Sequence, residues 1–99
     1  MLKKKFFKTK DECEVAFEIE LAEASKVELV CENNGWQPVP MKKGKTGTFR
    51  TRVRLPRESR IQFRYLVDGN VWVNDETADA VMMNEFGIEN SVIDTAPTP

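Results

Sequence analysis

A chain of 99 residues with 40% apolar and 31% charged side chains fits one modest core under an ordinary solvated surface. Its formal net charge of −1 gives no bulk attraction to nucleic acid, and no apolar run approaches the length that crosses a membrane. The absence of histidine excludes Ser-His-Asp catalysis, and two cysteines outside any Cys-x-x-Cys pair cannot complete the usual zinc ligand set, so neither a metal nor a cofactor is expected.

The opening Met1-Leu2-Lys3-Lys4-Lys5-Phe6-Phe7-Lys8 is basic like the start of a signal peptide, but Thr9-Lys10-Asp11-Glu12 stands where the apolar segment would follow. A cytoplasmic location is expected, with the lysines on a solvated edge strand where they deter sheet-to-sheet association. From there period-two alternation dominates, and strands are predicted near 6–9 and over 13–20, 26–31, 48–55, 60–67, 71–74 and 90–94. Turn residues separate them at Glu23-Ala24-Ser25, Asn33-Asn34-Gly35, Lys43-Gly44-Lys45, Pro56-Arg57-Glu58-Ser59 and Asp68-Gly69. This is the profile of an all-β, immunoglobulin-like antiparallel β-sandwich of about seven strands, with a small closed barrel as the alternative. Residues 1–94 are read as one domain and Thr95-Ala96-Pro97-Thr98-Pro99 as a tail.

Alternation assigns Val15, Phe17, Ile19, Val27, Leu29, Phe49, Thr51, Val53, Leu55, Ile61, Phe63, Tyr65, Val67, Val71, Val73 and Val92 to the core. Cys13 and Cys31 share that parity and are expected as buried thiols. Arg50, Arg52 and Arg54 point outward, as do Glu14, Glu18, Glu20 and Glu28, so cross-strand ion pairs are expected on that face. Asp75, Glu76 and Asp79 lack calcium-loop spacing and are expected to be solvated.

The run 63–75 fixes a hairpin register. A three-residue loop at Asp68-Gly69-Asn70 pairs Val67 with Val71, Leu66 with Trp72 and Tyr65 with Val73. A two-residue loop would turn Trp72 inward and both valines outward, at the cost of core burial. The favoured register makes Arg64 and Trp72 diagonal neighbours, roughly 7–8 Å apart, on the outer face.

Five segments, in order, resemble a known family: residues 27–36, Pro40-Met41-Lys42, residues 63–69, Trp72-Val73-Asn74-Asp75 and residues 86–93. They look like the glycogen-binding module of carbohydrate-binding module family 48, found in isoamylases, glycogen-branching enzymes and the β-subunit of AMP-activated protein kinase. The likeness covers residues 12–94 and implies an early-set immunoglobulin-like sandwich that binds α-1,4-glucan such as glycogen, maltodextrin or starch without catalysis. It implies that Trp36 and Trp72 stack on glucose rings, that Arg64 and Asn90 bond sugar hydroxyls, and that Phe86 reaches toward the ring. The loop before Trp36 departs from the family's Gly-x-Phe-Asn-x-Trp, with Cys31, Asn33 and Asn34 in place of the glycine and phenylalanine. Expected partners are an α-glucan and a glycogen-metabolising enzyme, with neither nucleic acid nor membrane. The competing expectation is a protein-interaction module on the same sandwich that has lost sugar binding.

Overall fold

A computed structural model describes residues 2–7 and 11–96. Among the described residues ten antiparallel strands run in chain order: β1 Leu2–Phe6, β2 Glu12–Glu20, β3 Val27–Cys31, β4 Val39–Pro40, β5 Lys42–Lys43, β6 Thr48–Pro56, β7 Arg60–Val67, β8 Val71–Val73, β9 Ala80–Met83 and β10 Glu89–Asp94. They form a β-sandwich, as the alternation predicts. One sheet has the order β1-β2-β6-β5; the other has β4-β3-β7-β10-β9, with β8 also paired to β7. The seven predicted strands are joined by β4, β5 and β9, two of them only two residues long. The first strand lies at Leu2–Phe6 rather than near 6–9, whose residues 8 and 9 fall outside those described. No helix among the described residues is long and apolar enough to cross a membrane.

The core forms where the two alternating faces meet. Phe17 of β2 packs edge-on against Phe63 of β7 with ring centroids 5.1 Å apart, and Phe63 against Tyr65 at 5.7 Å. These rings are fully buried together with Val15, Leu29, Phe49 and Leu55, and each large side chain so buried contributes about 1.5–3 kcal/mol from surface removed from water. Cys13 and Cys31 are buried free thiols, and burial pushes both above the ordinary thiol range. The chain passes from one sheet to the other at Met41, whose N–H donates to Val27 O at 2.9 Å while its side chain enters the core.

The outward face of β2 and β6 carries the expected ion pairs: Glu18 lies opposite Arg50 with an Nε to Oε1 distance of 3.4 Å, and Arg54 reaches Glu12 at 3.9 Å.

Four expectations need correction. Val71 is 52% exposed, because burial fades along the hairpin from Tyr65 through half-buried Val67 to the tip. Val92 is buried, but it lies opposite Gln62 on the outer face; Ser91 and Ile93 take the inward positions, opposite Phe63 and Ile61. Asp75 is buried rather than solvated, and accepts from the Tyr65 hydroxyl at 2.7 Å. Thr95, read as tail, is fully buried: its hydroxyl accepts from Ser59 N at 2.9 Å and donates to Pro56 O at 2.6 Å, which carries the fold past residue 94. Residues 97–99 lie outside those described.

Candidate functional site

The hairpin forms in the predicted register, with Val67 opposite Val71, Leu66 opposite Trp72 and Tyr65 opposite Val73. Asp68 occupies the left-handed region at φ 49° and is held there as its Oδ1 accepts from Ser25 N and Lys26 N, both at 2.9 Å. Trp72 therefore stands on the outer face, 48% exposed, with the Arg64 guanidinium 4.5 Å from its ring centroid. Stacking of this kind fixes the cation in place and contributes about 0.5–1 kcal/mol at an exposed site.

β8 and β10 follow one another along the same side of β7, and Asn74 closes the gap between them. Its Oδ1 accepts from Ser91 N at 3.0 Å and Ser91 Oγ at 2.8 Å, while its Nδ2 donates to Glu89 O at 3.0 Å. This fixes where β10 begins, and so where Asn90 falls.

Trp36 is presented by a tight loop. A 3₁₀ turn over Glu32–Asn34 ends as Gly35 N donates to Glu32 O at 3.1 Å and Trp36 N to Cys31 O at 3.0 Å, the two bonds of a Schellman motif. Gly35 sits at φ 74°, where glycine carries no penalty, but Trp36 follows at φ 66°. A left-handed conformation costs a non-glycine residue roughly 1–3 kcal/mol and persists only where the surroundings enforce it. Here Asn34 grips Gln37 through two hydrogen bonds of 3.1 Å, and Glu32 Oε1 accepts from Gln62 N at 2.8 Å, which ties the loop to β7. Trp36 remains 40% exposed.

Phe86 comes from the β9–β10 hairpin. Asn84 Oδ1 accepts from Phe86 N and Ile88 N at 2.9 and 3.0 Å, and Gly87 turns the chain at φ 75°, which leaves Phe86 78% exposed.

Trp36, Arg64, Phe86 and Asn90 line one shallow pocket of about 320 Å³, together with Gln62, Asn84 and Glu85. Trp72 is not part of its lining and joins it through Arg64. Within that lining Asn90 is only 3% exposed, and among the described residues neither its Oδ1 nor the buried Nε of Arg64 has a hydrogen-bond partner. Buried polar groups in native proteins are nearly always paired, so two such orphans on residues of one lining set this pocket apart. Glu85 is the one carboxylate of that lining. Gln62 and Asn84 were not among the residues picked out from sequence, although Gln62 shares the outward parity of Arg64 and Asn84 stands three residues before a glycine.

A second, larger cleft of about 430 Å³ lies beside Glu18, Arg50, Asn74 and Asp75. Of its charges Glu18 pairs with Arg50 and Asp75 with Tyr65 and Thr77, Glu20 and Glu76 also line it, and it presents no aromatic face.

No family model matches the chain, and no curated protein sequence does. Solved structures do share the fold. Enterobactin esterase from Shigella flexneri, solved in the presence of 2,3-dihydroxy-N-benzoyl-serine, aligns over 98% of this chain and 33% of its own, at 12% identity and a TM-score of 0.74. Ferric enterobactin esterase from Salmonella typhimurium aligns over 98% of this chain and 35% of its own, at 12% identity and the same TM-score of 0.74. Pullulanase from Bacillus acidopullulyticus aligns over 82% of this chain and 10% of its own, at 20% identity and a TM-score of 0.62. The chain thus spans about a third of each esterase and a tenth of the pullulanase, and at these identities the likeness is one of fold.

Proposed function

We propose that this domain binds α-1,4-glucan without catalysis, as its resemblance to carbohydrate-binding module family 48 implies. The observation that carries the reading is the pocket itself: Arg64 stacked on Trp72 and the unpaired Oδ1 of Asn90, rimmed by Trp36 and Phe86. Flat aromatic faces suit the C–H-rich faces of glucose, and a fixed donor beside a fixed acceptor suits its hydroxyl edge. The single lining carboxylate supports binding over hydrolysis, since two-carboxylate glycosidases need a facing pair. A pullulanase among the structural neighbours supports a carbohydrate-related setting. A glycogen-metabolising enzyme is the expected partner, and the cytoplasm the expected location.

A second reading, a protein-interaction module, is favoured by β9. This edge strand is uncharged and exposes Val81, Met82 and Met83, whereas edge strand β1 carries lysines and β4 ends in proline. Electrophoresis through native gels containing glycogen separates the two. Retardation by glycogen, with none by a cellulose derivative, is the result the glucan reading requires; equal mobility in all gels overturns it in favour of the interaction module.

A further inference from the structure

Gln62, on β7 two residues before Arg64, touches the pocket and two of its neighbours. Its Oε1 accepts from Asn90 Nδ2 at 2.9 Å, and its Nε2 donates to Met82 Sδ at 3.3 Å. Each carboxamide has a donor end and an acceptor end, so a Gln–Asn pair can run in either sense. Met82 decides between them. A thioether accepts weakly and cannot donate, so the reversed pair would set Gln62 Oε1 against a second acceptor. In the observed sense Asn90, a lining residue of the pocket, spends its donor on Gln62 and leaves Oδ1 buried and unpaired among the described residues.

The lining residues therefore hold one unpaired acceptor, Asn90 Oδ1, and one unpaired donor, Arg64 Nε. A hydroxyl can satisfy both kinds of group because it accepts and donates. An ether oxygen or a carboxylate can serve only Arg64, and an ammonium only Asn90. Ligands lacking the donor would leave Asn90 Oδ1 buried and unpaired, and sites built to bond a hydroxyl discriminate strongly on that ground.

We propose that Gln62 is the positioning residue that fixes this polarity, and that through it the pocket selects glucans whose hydroxyls are free over those whose hydroxyls are alkylated. The proposal rests on the glucan reading.

The test compares the full chain with its Gln62→Glu and Gln62→Leu variants, using the cyclic α-1,4 heptamer of glucose, β-cyclodextrin, and its 2,3,6-tri-O-methyl derivative, which keeps the glucose rings and loses every hydroxyl donor. Binding is followed by tryptophan fluorescence, and the hydrogen exchange of the Asn90 side-chain amide by NMR of the free protein, with the signal assigned by its loss in Asn90→Ala. Wild type should bind the parent ring at least about tenfold more tightly than the methylated one and show a protected Asn90 amide. Gln62→Glu keeps the acceptor and should retain both properties. Gln62→Leu should lose amide protection, weaken parent binding about tenfold, and narrow the preference to about twofold or less. Wild-type binding with a preference that survives in Gln62→Leu overturns the role of Gln62 and leaves the glucan reading standing. Wild type that binds neither ring at millimolar ligand, with the Asn90 amide protected or not, overturns the glucan reading and this proposal with it.

Discussion

Tyr65→Phe removes one hydroxyl from the centre of the sandwich while keeping the ring that packs on Phe63, so its cost can be worked from the geometry. The lost bond is the 2.7 Å donation to Asp75 Oδ2; Thr77 continues to serve Oδ1 from its backbone N–H at 2.8 Å and its hydroxyl at 2.6 Å. A hydrogen bond to a charged acceptor contributes about 1.5–3 kcal/mol, which is the destabilisation expected at pH 7. In a domain of this size that lowers Tm by roughly 4–8 °C per kcal/mol. The pH dependence has a definite sign on each side. Burial alone would raise Asp75, but the Thr77 and Tyr65 hydroxyls and the Thr77 N–H outweigh it and hold the carboxyl below its ordinary value. Its contribution is therefore complete above the unfolded pKa of about 4 and is lost as pH falls through the lower folded value. Burial first, and then the Asp75 carboxylate, push Tyr65 far above the ordinary phenol range. That contribution is complete below the unfolded pKa of about 10 and is lost as pH rises beyond it. Urea unfolding at about pH 3, 7 and 10.5 should show the gap between wild type and Tyr65→Phe widest at neutrality and narrower at both extremes. A gap below about 0.5 kcal/mol at pH 7, or one that is constant across the three conditions, would refute the coupling.

Two glycines with left-handed backbone should respond differently to alanine. At Gly47 an added Cβ meets Ala22 Cα at 2.7 Å, so Gly47→Ala combines strain with a backbone clash and should cost about 2 kcal/mol or more in urea unfolding. At Gly87 a Cβ meets nothing within 4 Å, and only about 1 kcal/mol is expected; equal losses would contradict the clash. Asn74→Ala opens the junction between β8 and β10 and leaves the N–H of fully buried Ser91 without its acceptor, at a cost of about 1–3 kcal/mol. Accelerated hydrogen exchange at Ser91 in that variant, with β2 and β6 amides unaffected, is the expected signature.

Much of the fold was legible because β2, β6 and β7 alternate cleanly, and because only one hairpin loop keeps Tyr65 and Val73 inward together. The same parity placed Arg64 and Trp72 side by side on the outer face. What escaped has physical causes. β4 and β5 are too short to show a period, and β9, Ala80–Met83, is an edge strand exposed on both faces, so its apolar run does not alternate. The burial of Asp75 depends on a partner ten residues away whose hydroxyl happens to end at the loop, and Thr95 is held by residues 36 and 39 positions earlier. Val92 was assigned inward although Ile93 occupies that position, since two adjacent buried aliphatics carry no parity of their own. The Gln62–Asn90–Met82 chain joins three strands, and its polarity comes from a sulfur on a strand that sequence did not reveal.

Titration of the wild-type chain with maltoheptaose, read by intrinsic tryptophan fluorescence beside Trp36→Ala and Trp72→Ala, tests the central claim most directly. An open platform that orders a flexible chain predicts a saturable change with a Kd on the order of 10 µM to 1 mM. Each stacking ring contributes about 1 kcal/mol beyond its buried area, so each variant should bind about tenfold more weakly or worse. No saturable change at millimolar ligand, or two variants that bind like wild type, would contradict the sugar platform.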